Sequence, residues 1–249
     1  MRAAIAIPVR LESSRLPRKA LCDIGGMPMI HHVLERSSRA KRIDRVVLCT
    51  DSIELQYLAK EWGFPVLMTS SSCSSGTDRI ASVIDSFDED LIINVQGDQP
   101  FIDPEVIDQM IEVFELQVSS AEVLTPIYRL SSDKIHNPNV VKTLVSSGDI
   151  ALYFSRSAVP HVRDVVPDLW GEHAPYWGHI GIYGFHRDVL VRWPQLPESS
   201  LEKLEKLEQL RLIESGINVG VFKWCEPGIS VDTPEDLAEA RRIFAIISG

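Results

Sequence analysis

The sequence lacks the features that mark several large classes of protein. Its 249 residues include four cysteines, at positions 22, 49, 73 and 225, with no C-x-x-C pair and no metal-ligand spacing. This pattern argues against a disulfide framework and a zinc site, and it is typical of reduced thiols. No apolar run approaches the roughly eighteen residues of a membrane span, and the N-terminal run Ala3–Val9 is too short for a signal peptide. The sequence therefore predicts a cytoplasmic protein with no membrane insertion.

The common nucleotide-binding signatures are absent too. Neither G-x-G-x-x-G nor G-x-x-x-x-G-K-[ST] occurs, which argues against a dinucleotide enzyme and a P-loop NTPase. The net charge is -10, from 25 Lys and Arg against 35 Asp and Glu. Such an acidic protein is a poor candidate for DNA or RNA binding, because that affinity comes from many phosphate contacts. We expect no nucleic-acid partner.

The positive charge is concentrated at the N-terminus. Residues 1–19 hold one acid, Glu12, and five basic side chains: Arg2, Arg10, Arg15, Arg18 and Lys19. The last four follow the first predicted strand. There, arginine guanidinium groups with their paired N–H donors and a lysine ammonium could bind a triphosphate from several sides. A solvated basic loop is the alternative interpretation. Within an acidic body, such a segment favours one small polyphosphate as the ligand.

Strand-like and helical stretches alternate along most of the chain. The alternation predicts an α/β protein, with a Rossmann-like, mostly parallel sheet and helices on both faces. Ligands then bind beyond the carboxyl ends of the strands. The predicted strands are Ala3–Pro8, Arg45–Cys49, Pro65–Met68, Leu91–Val95, Val123–Ile127 and Val219–Phe222, and the predicted helices are Met29–Arg39, Ile53–Trp62, Asp78–Phe87, Pro104–Leu116, Ser200–Ser215 and Pro234–Ile247.

Residues 131–187 break this rhythm with short β-like pieces rich in aromatic side chains. We interpret them as a small antiparallel annex, within a single domain 1–249, that closes over a site or makes a dimer. Its polar residues include Arg156, His179 and Tyr183, although a lone histidine is more often structural than catalytic. The next predicted helix is rich in Lys and Glu and carries Glu205, Glu208 and Gln209, for which solvated salt bridges are the default.

Two acids are candidate ligands of Mg²⁺. Asp98 directly follows a very apolar strand, and carboxylate and phosphate oxygens share that ion well. A turn ending at Pro100 is the alternative explanation for this acid. Asp232 precedes the last helix, whose start is explained by Thr233 as N-cap and Pro234 as first helical residue, so that helix stability does not require Asp232.

The segment 74–79 is a further candidate, because small hydroxyl residues and Gly76 permit close approach by a ligand ring. An N-cap at Thr77 is the structural alternative.

With these motifs in order, the chain from about Ala4 to Ile243 resembles the 3-deoxy-manno-octulosonate (KDO) cytidylyltransferases, or CMP-KDO synthetases. Eight motifs carry the resemblance: P-x-R-x-x-S-x-R-L-P-x-K from Pro8, P-M-I-x-H-V from Pro28, M-T-S-x-x-x-x-S-G-T-D-R from Met68, N-V-Q-G-D-Q-P from Asn94, A-L-Y-F-S-R from Ala151, H-I-G-I-Y-G-F from His179, L-E-x-L-E-Q-L-R from Leu204 and V-D-T-P-E-D from Val231.

The resemblance implies a nucleotidyltransferase fold and transfer of CMP from CTP to the anomeric hydroxyl of KDO for lipopolysaccharide biosynthesis, with release of pyrophosphate. It also implies Mg²⁺ as cofactor, CTP and an acidic eight-carbon sugar as substrates, and a homodimer. The residues that it assigns are Pro8, Arg10, Arg15, Lys19, Ser75, Thr77 and Arg79 for CTP, Asp98 and Asp232 for the metal, Gln96, Arg156, His179, Tyr183, Glu208 and Gln209 for the sugar, and Lys19, Arg10, Asp98 and Asp232 for catalysis.

One departure from the family bears on the site. Arg18 stands where a glycine usually precedes the lysine, and a glycine there lets the backbone approach the phosphates.

Three alternatives stay open. A cytidylyltransferase for 8-amino-KDO or a sialic acid would share the nucleotide loop. A nucleotide-sugar glycosyltransferase is disfavoured, since no D-x-D follows the strand Leu91–Val95. A non-catalytic nucleotide-binding protein is disfavoured by the presence of Asp98 and Asp232.

Overall fold

The computed structural model describes residues 1–13, 16–116, 121–225 and 227–248. The strands are β1 (Ala3–Val9), β2 (Asp23–Ile24), β3 (Met27–Pro28), β4 (Arg45–Thr50), β5 (Val66–Met68), β6 (Leu91–Val95), β7 (Val123–Arg129), β8 (Lys142–Val145), β9 (Ala151–Ser155), β10 (Trp177–His179), β11 (Ile182–His186) and β12 (Val219–Lys223). The α-helices are α1 (Met29–Ser37), α2 (Ile53–Glu61), α3 (Gly76–Ala81), α4 (Pro104–Leu116), α5 (Trp170–His173), α6 (Arg187–Arg192), α7 (Ser200–Glu205), α8 (Leu210–Glu214) and α9 (Pro234–Ser248).

The chain forms two compact units. The first comprises residues 1–111, 185–194 and 228–249. Four of its strands run in the order β5-β4-β1-β6, and every neighbouring pair in this order is parallel. The short strands β2 and β3 pair antiparallel in a sheet of their own. All seven residues of β1 and all five of β6 are buried. Continuous apolar strands of this kind are typical of a parallel sheet covered on both faces.

The second unit comprises residues 112–184 and 195–227. Here β7 pairs with β12 in parallel and with β10 in antiparallel register. The strands β10, β8 and β9 continue as antiparallel neighbours. The predicted α/β class, with a mostly parallel sheet and a small antiparallel part, is confirmed. The single domain with an annex at 131–187 stays a prediction.

Most predicted elements agree with the structure within a few residues, but two helices do not. The stretch Asp78–Phe87 contains only the short α3 and a 3₁₀ turn, Ile84–Ser86. The predicted helix Ser200–Ser215 is two helices, α7 and α8, separated at residues 206–209. The break occurs because Lys206 adopts the left-handed conformation, with φ of 54°, and its N–H closes α7 on the carbonyl of Glu202.

A small apolar cluster anchors the predicted basic loop in the first unit. Leu16, from the end of that loop, packs with Ile24 and Met29 and with Val231 and Leu237 at the start of α9. These contacts bring residues from both ends of the chain to one place. The loop that carries Lys19 is thereby fixed next to the segment that carries Asp232.

Two features of the described residues bear on the predicted class of protein. All four cysteines are free. No helix in the described ranges is long and apolar enough to cross a membrane.

Gly97 tests the packing between the ends of β1 and β6. A Cβ at this position would lie 2.3 Å from Cγ2 of Val9, a buried and stiff β-branched side chain. We expect Gly97→Ala to lower the free energy of unfolding by about 1–3 kcal/mol, as overpacking does. Gly181→Ala is the control, because its Cβ meets nothing within 4 Å, and we expect a change within about 0.5 kcal/mol. Urea unfolding measures both, and equal values would contradict the close packing.

Candidate active site

A polar cavity of about 300 Å³ lies in the first unit, beyond the carboxyl ends of β1 and β6. This is where a parallel sheet is expected to bind its ligand. Its remaining wall is the segment 73–76 and the side chain of Arg79. The structure brings eight of the predicted site residues to this cavity: Pro8, Arg10, Lys19, Ser75, Arg79, Gln96, Asp98 and Asp232.

The centre of the cavity wall is an ammonium held between two carboxylates. Lys19 Nζ donates to Asp98 Oδ2 at 2.8 Å and to Asp232 Oδ1 at 3.0 Å. Burial lowers the pKa of Lys19, but attraction by the two carboxylates more than offsets it, so that its pKa is raised overall. The lysine is therefore a permanent cation, and two acids 134 positions apart converge on it.

The main chain helps to bring the two acids together. The N–H of Val231 donates to the carbonyl of Asp98 at 2.9 Å. At the start of α9, the Thr233 hydroxyl accepts the N–H of Asp236, and the Asp236 carboxylate accepts the N–H groups of Asp232 and Thr233. The predicted cap at Thr233 is confirmed. The cap fixes the backbone of Asp232 while its carboxylate contacts Lys19.

Arg18 keeps the backbone conformation that a glycine would adopt. Its φ is 53°, in the left-handed region, which costs a non-glycine residue about 1–2 kcal/mol. Its guanidinium donates to Glu54 Oε1 at 2.5 Å, and its carbonyl accepts the N–H of Leu21. The departure from the family's glycine therefore leaves the turn before Lys19 in place.

The segment 74–79 folds differently from the structural alternative that we considered. The N-cap of α3 is Ser75, whose hydroxyl accepts the N–H of Asp78 at 3.1 Å, and Thr77 as the cap is wrong. Thr77 is buried, with its hydroxyl accepting from Asn94 Nδ2 at 3.3 Å. Asn94 in turn accepts from Gln96 Nε2 at 3.0 Å. Thr77 thus lies behind the cavity wall, and Gln96 lies on it.

Arg79 is almost fully buried, at 3 % exposure, although it lines the cavity. Its guanidinium donates to Asp51 Oδ2 at 3.2 Å and to the hydroxyl of Thr69. These bonds orient the side chain and compensate its charge. Arg15, which we also predicted to bind CTP, lies outside the described residues.

His179 and Tyr183 belong to the second unit. The His179 ring packs against Phe154 and Tyr183, with centroids 5.1 and 5.2 Å away, and its Nε2 is hydrogen-bonded to the Thr125 hydroxyl at 3.0 Å. Burial lowers the pKa of His179 to about 3, so the ring is neutral at physiological pH. Burial and the nearby Glu208 carboxylate raise the pKa of Tyr183 well above its usual range. Both residues are suited to hydrogen bonding and not to proton transfer near pH 7.

Glu208 and Gln209 lie at the break between α7 and α8, not on the solvated helix face that the sequence predicts. Gln209 is only 4 % exposed. Among the described residues, nothing forms a hydrogen bond with its buried amide nitrogen. A buried donor without a partner is unfavourable, and a polar ligand would relieve it.

Arg156, also in the second unit, is oriented by main-chain carbonyls. Its Nε donates to the carbonyl of Glu205 at 2.7 Å and its Nη1 to that of Pro138 at 3.1 Å. In the described part of the chain, no acid forms an ion pair with this guanidinium. Main-chain carbonyls, and not an ion pair, therefore hold this guanidinium within the described residues.

Comparison with known proteins places this geometry in a family. The model of the cytidylyltransferase family matches residues 4–219. The 3-deoxy-manno-octulosonate cytidylyltransferase of Chlorobaculum tepidum is 40% identical over 247 residues, with 98% of each chain covered. That of Escherichia coli is 39% identical over 244 residues, covering 98% of this chain and 96% of its own.

This chain belongs to the 3-deoxy-manno-octulosonate cytidylyltransferase family. A solved CMP:2-keto-3-deoxy-manno-octonic acid synthetase, complexed with CTP, superposes with a TM-score of 0.93 at 38% identity, over 99% of this chain and 100% of its own. A cytidylyltransferase from Leptospira borgpetersenii, at 18% identity and a TM-score of 0.65, shares the fold. The family that the motifs predicted is confirmed.

Two residues of this cytidylyltransferase were not singled out from the sequence. Asn94 supports Gln96, and its signal was a polar residue inside the otherwise apolar strand β6. Asp51 compensates Arg79, and it follows β4 directly, as Asp98 closely follows β6. The rule that located Asp98 would have located Asp51 as well.

The neutral ring of His179 should make the stability of the enzyme depend on pH. In the unfolded chain a histidine takes up a proton near pH 6.5, whereas folded His179 does so only near pH 3. Stability is therefore complete above about pH 6.5 and falls by about 1.4 kcal/mol per pH unit below it. We expect His179→Gln to flatten this slope between pH 7 and 5, as measured by urea unfolding. The control His173→Gln changes an exposed histidine, and a wild-type slope in both variants would contradict the burial of His179.

Proposed function

We propose that this chain transfers CMP from CTP to the anomeric hydroxyl of KDO, forming CMP-KDO and pyrophosphate for lipopolysaccharide biosynthesis. Family membership over nearly the full length carries this assignment. The bridge from Lys19 to Asp98 and Asp232 is the structural feature that supports it best. The proposal also includes a homodimer in the cytoplasm.

The nucleotide is assigned to the cavity of the first unit. Arg10 and Lys19 line it, and both carry the positive charge that a triphosphate requires. The cytosine end of CTP is assigned to the segment with Ser75 and Gly76 and to the side chain of Arg79. The wall is closely packed at Gly76, because a Cβ at this position would lie only 3.0 Å from Cγ of Pro8.

The donor set at the cavity fits Mg²⁺. Asp98 and Asp232 supply hard carboxylate oxygens around one point that already holds a cation, the Lys19 ammonium. Within the described residues, no third His, Cys, Asp or Glu completes a protein-only metal site. Mg²⁺ commonly takes one or two carboxylates and completes its shell with phosphate oxygens and water. When bound, it would neutralise phosphate charge and acidify the sugar hydroxyl.

The chain's own residues supply binding and orientation. Lys19 and Arg10 hold phosphate oxygens and stabilise the negative charge that develops on them. In-line attack by the sugar hydroxyl needs fixed positions, and it needs no covalent intermediate. His179 is neutral, with a pKa of about 3, so it can position a hydroxyl without acting as general base at pH 7.

The acidic sugar is assigned to five residues of the second unit: Arg156, His179, Tyr183, Glu208 and Gln209. Among the described residues, the buried amide nitrogen of Gln209 has no hydrogen-bond partner, so it can donate to a sugar hydroxyl. The raised pKa of Tyr183 keeps its hydroxyl protonated at neutral pH. Arg156 is assigned to the carboxylate. The relatives do not favour 8-amino-KDO or a sialic acid as the substrate, and competition assays with these sugars separate the alternatives.

Release of pyrophosphate from CTP, measured with and without KDO, tests the activity directly. We expect KDO-dependent release in the wild type. Asp98→Asn and Asp232→Asn should each abolish the metal-dependent rate, and the double variant should lose little more than either one, because residues acting as a unit are not additive. Full activity in either single variant, or strictly additive losses, would contradict a shared site.

Arg156→Lys tests the sugar assignment. Lysine keeps the charge but cannot reproduce the paired bonds of a guanidinium to a carboxylate. We expect the KM for KDO to rise much more than the KM for CTP, and the preference for KDO over its carboxylate-reduced analogue to shrink. Equal shifts in both KM values, or a loss of melting temperature alone, would contradict the assignment.

A further inference from the structure

The backbone of Arg156 is held on both sides by charged side chains of the second unit. Its N–H donates to Glu205 Oε2 at 2.9 Å. Its carbonyl accepts a hydrogen bond from Lys142 Nζ at 2.5 Å. Together with the two carbonyls that receive Nε and Nη1, these bonds fix both the main chain and the guanidinium plane of this residue.

The orientation leaves one end of the guanidinium available. A guanidinium has five N–H groups, one on Nε and two on each Nη. Described residues accept two of these N–H groups, one from Nε and one from Nη1, which leaves one on Nη1 and two on Nη2. In the ranges that the structure describes, Nη2 donates to no residue. That end presents a planar pair of nitrogens, which matches the two oxygens of a carboxylate.

Glu205 contributes twice to this arrangement. Its carboxylate accepts the Ser155 hydroxyl at 2.7 Å and the N–H of Arg156, while its own carbonyl accepts Arg156 Nε. Glu205 is the last residue of α7, and the left-handed Lys206 after it turns the chain away. The end of α7 is thereby attached to the end of β9.

Lys142 secures the opposite side. It is completely buried, and its Nζ donates to the carbonyls of Asn137, Val140 and Arg156. Three acceptors require three hydrogens, so this lysine is protonated in the folded state. Two of these carbonyls flank Pro138, the residue whose carbonyl receives Nη1 of Arg156.

The charges of this group are not balanced without a ligand. Burial lowers the pKa of Lys142, the Arg156 cation lowers it further, and only Glu205 opposes the two effects. Lys142, Arg156 and Glu205 together carry one net positive charge. An anionic group at the open end of the guanidinium would neutralise it.

We propose that Glu205, supported by Lys142, is a positioning residue that aims Arg156 at the carboxylate of the acidic sugar. This inference rests on the proposed assignment of Arg156. It concerns a residue that the sequence suggests is only part of a solvated helix face.

Glu205→Ala removes the hydrogen bonds that the Glu205 carboxylate accepts from the Ser155 hydroxyl and the N–H of Arg156. Arg156 itself is not substituted, so its guanidinium is still present. Loss of an oriented charge-assisted contact should raise the KM for KDO about 10- to 50-fold, with the KM for CTP unchanged within about twofold. Glu214→Ala is the matched control. Glu214 also attaches α7, because its carboxylate accepts the Ser200 hydroxyl at 3.4 Å and the N–H of Leu201 at 3.1 Å, and its hydrogen bonds to described residues do not include Arg156. We expect the control to change the melting temperature only.

Equal increases in both KM values, or an unchanged KM for KDO in folded Glu205→Ala, would overturn the inference. If Glu205→Ala does not fold, Glu205→Asp replaces it, because aspartate keeps the charge but is one methylene too short to hold both donors. It should raise the KM for KDO at least about fivefold, and a wild-type value would overturn the inference. If Arg156→Lys shifts the KM for KDO and Glu205→Ala does not, the assignment of Arg156 to the sugar carboxylate holds and the positioning role of Glu205 fails. If Arg156→Lys has no effect on that KM, the underlying assignment fails.

Discussion

The cavity of the first unit depends on one interaction, in which the ammonium of Lys19 is hydrogen-bonded to both Asp98 and Asp232. Two carboxylates at one point repel each other unless a cation lies between them. The lysine supplies that cation in the free protein, and it is only 18% exposed. The same concentration of charge fits the proposed binding of phosphate and Mg²⁺ at this site.

The fold satisfies this constraint with ordinary elements. β1 leads into the basic loop and β6 into Asp98, and adjacent parallel strands place these two ends side by side. The capped start of α9 adds Asp232, while Leu16 and Val231 share one apolar cluster beneath the loop. Apolar packing therefore brings Lys19 and Asp232 close together, and the hydrogen bond between their charged groups then forms at little further cost.

Much of this could be predicted from the sequence, for reasons that differ between elements. The apolar runs of β1 and β6 and the cap at Thr233 are local signals, and Asp98 follows from its place after a strand. The break in the helix at Lys206, by contrast, has no signal in the neighbouring sequence. Helix ends of that kind usually carry glycine, and nothing in a Lys- and Glu-rich stretch reveals a left-handed lysine. The helical pattern alone therefore predicts a solvated face for Glu205, Glu208 and Gln209, although Gln209 is buried and Glu205 holds Arg156.

Diffraction from crystals grown with CTP and Mn²⁺ would show whether Asp98 and Asp232 converge on one cation. Mn²⁺ takes the same oxygen ligands as Mg²⁺, and its anomalous signal locates it without ambiguity. We expect an anomalous peak within about 2.0–2.3 Å of an oxygen of each carboxylate. A peak bound by Asp98 alone, or one more than about 4 Å from Asp232, would contradict it.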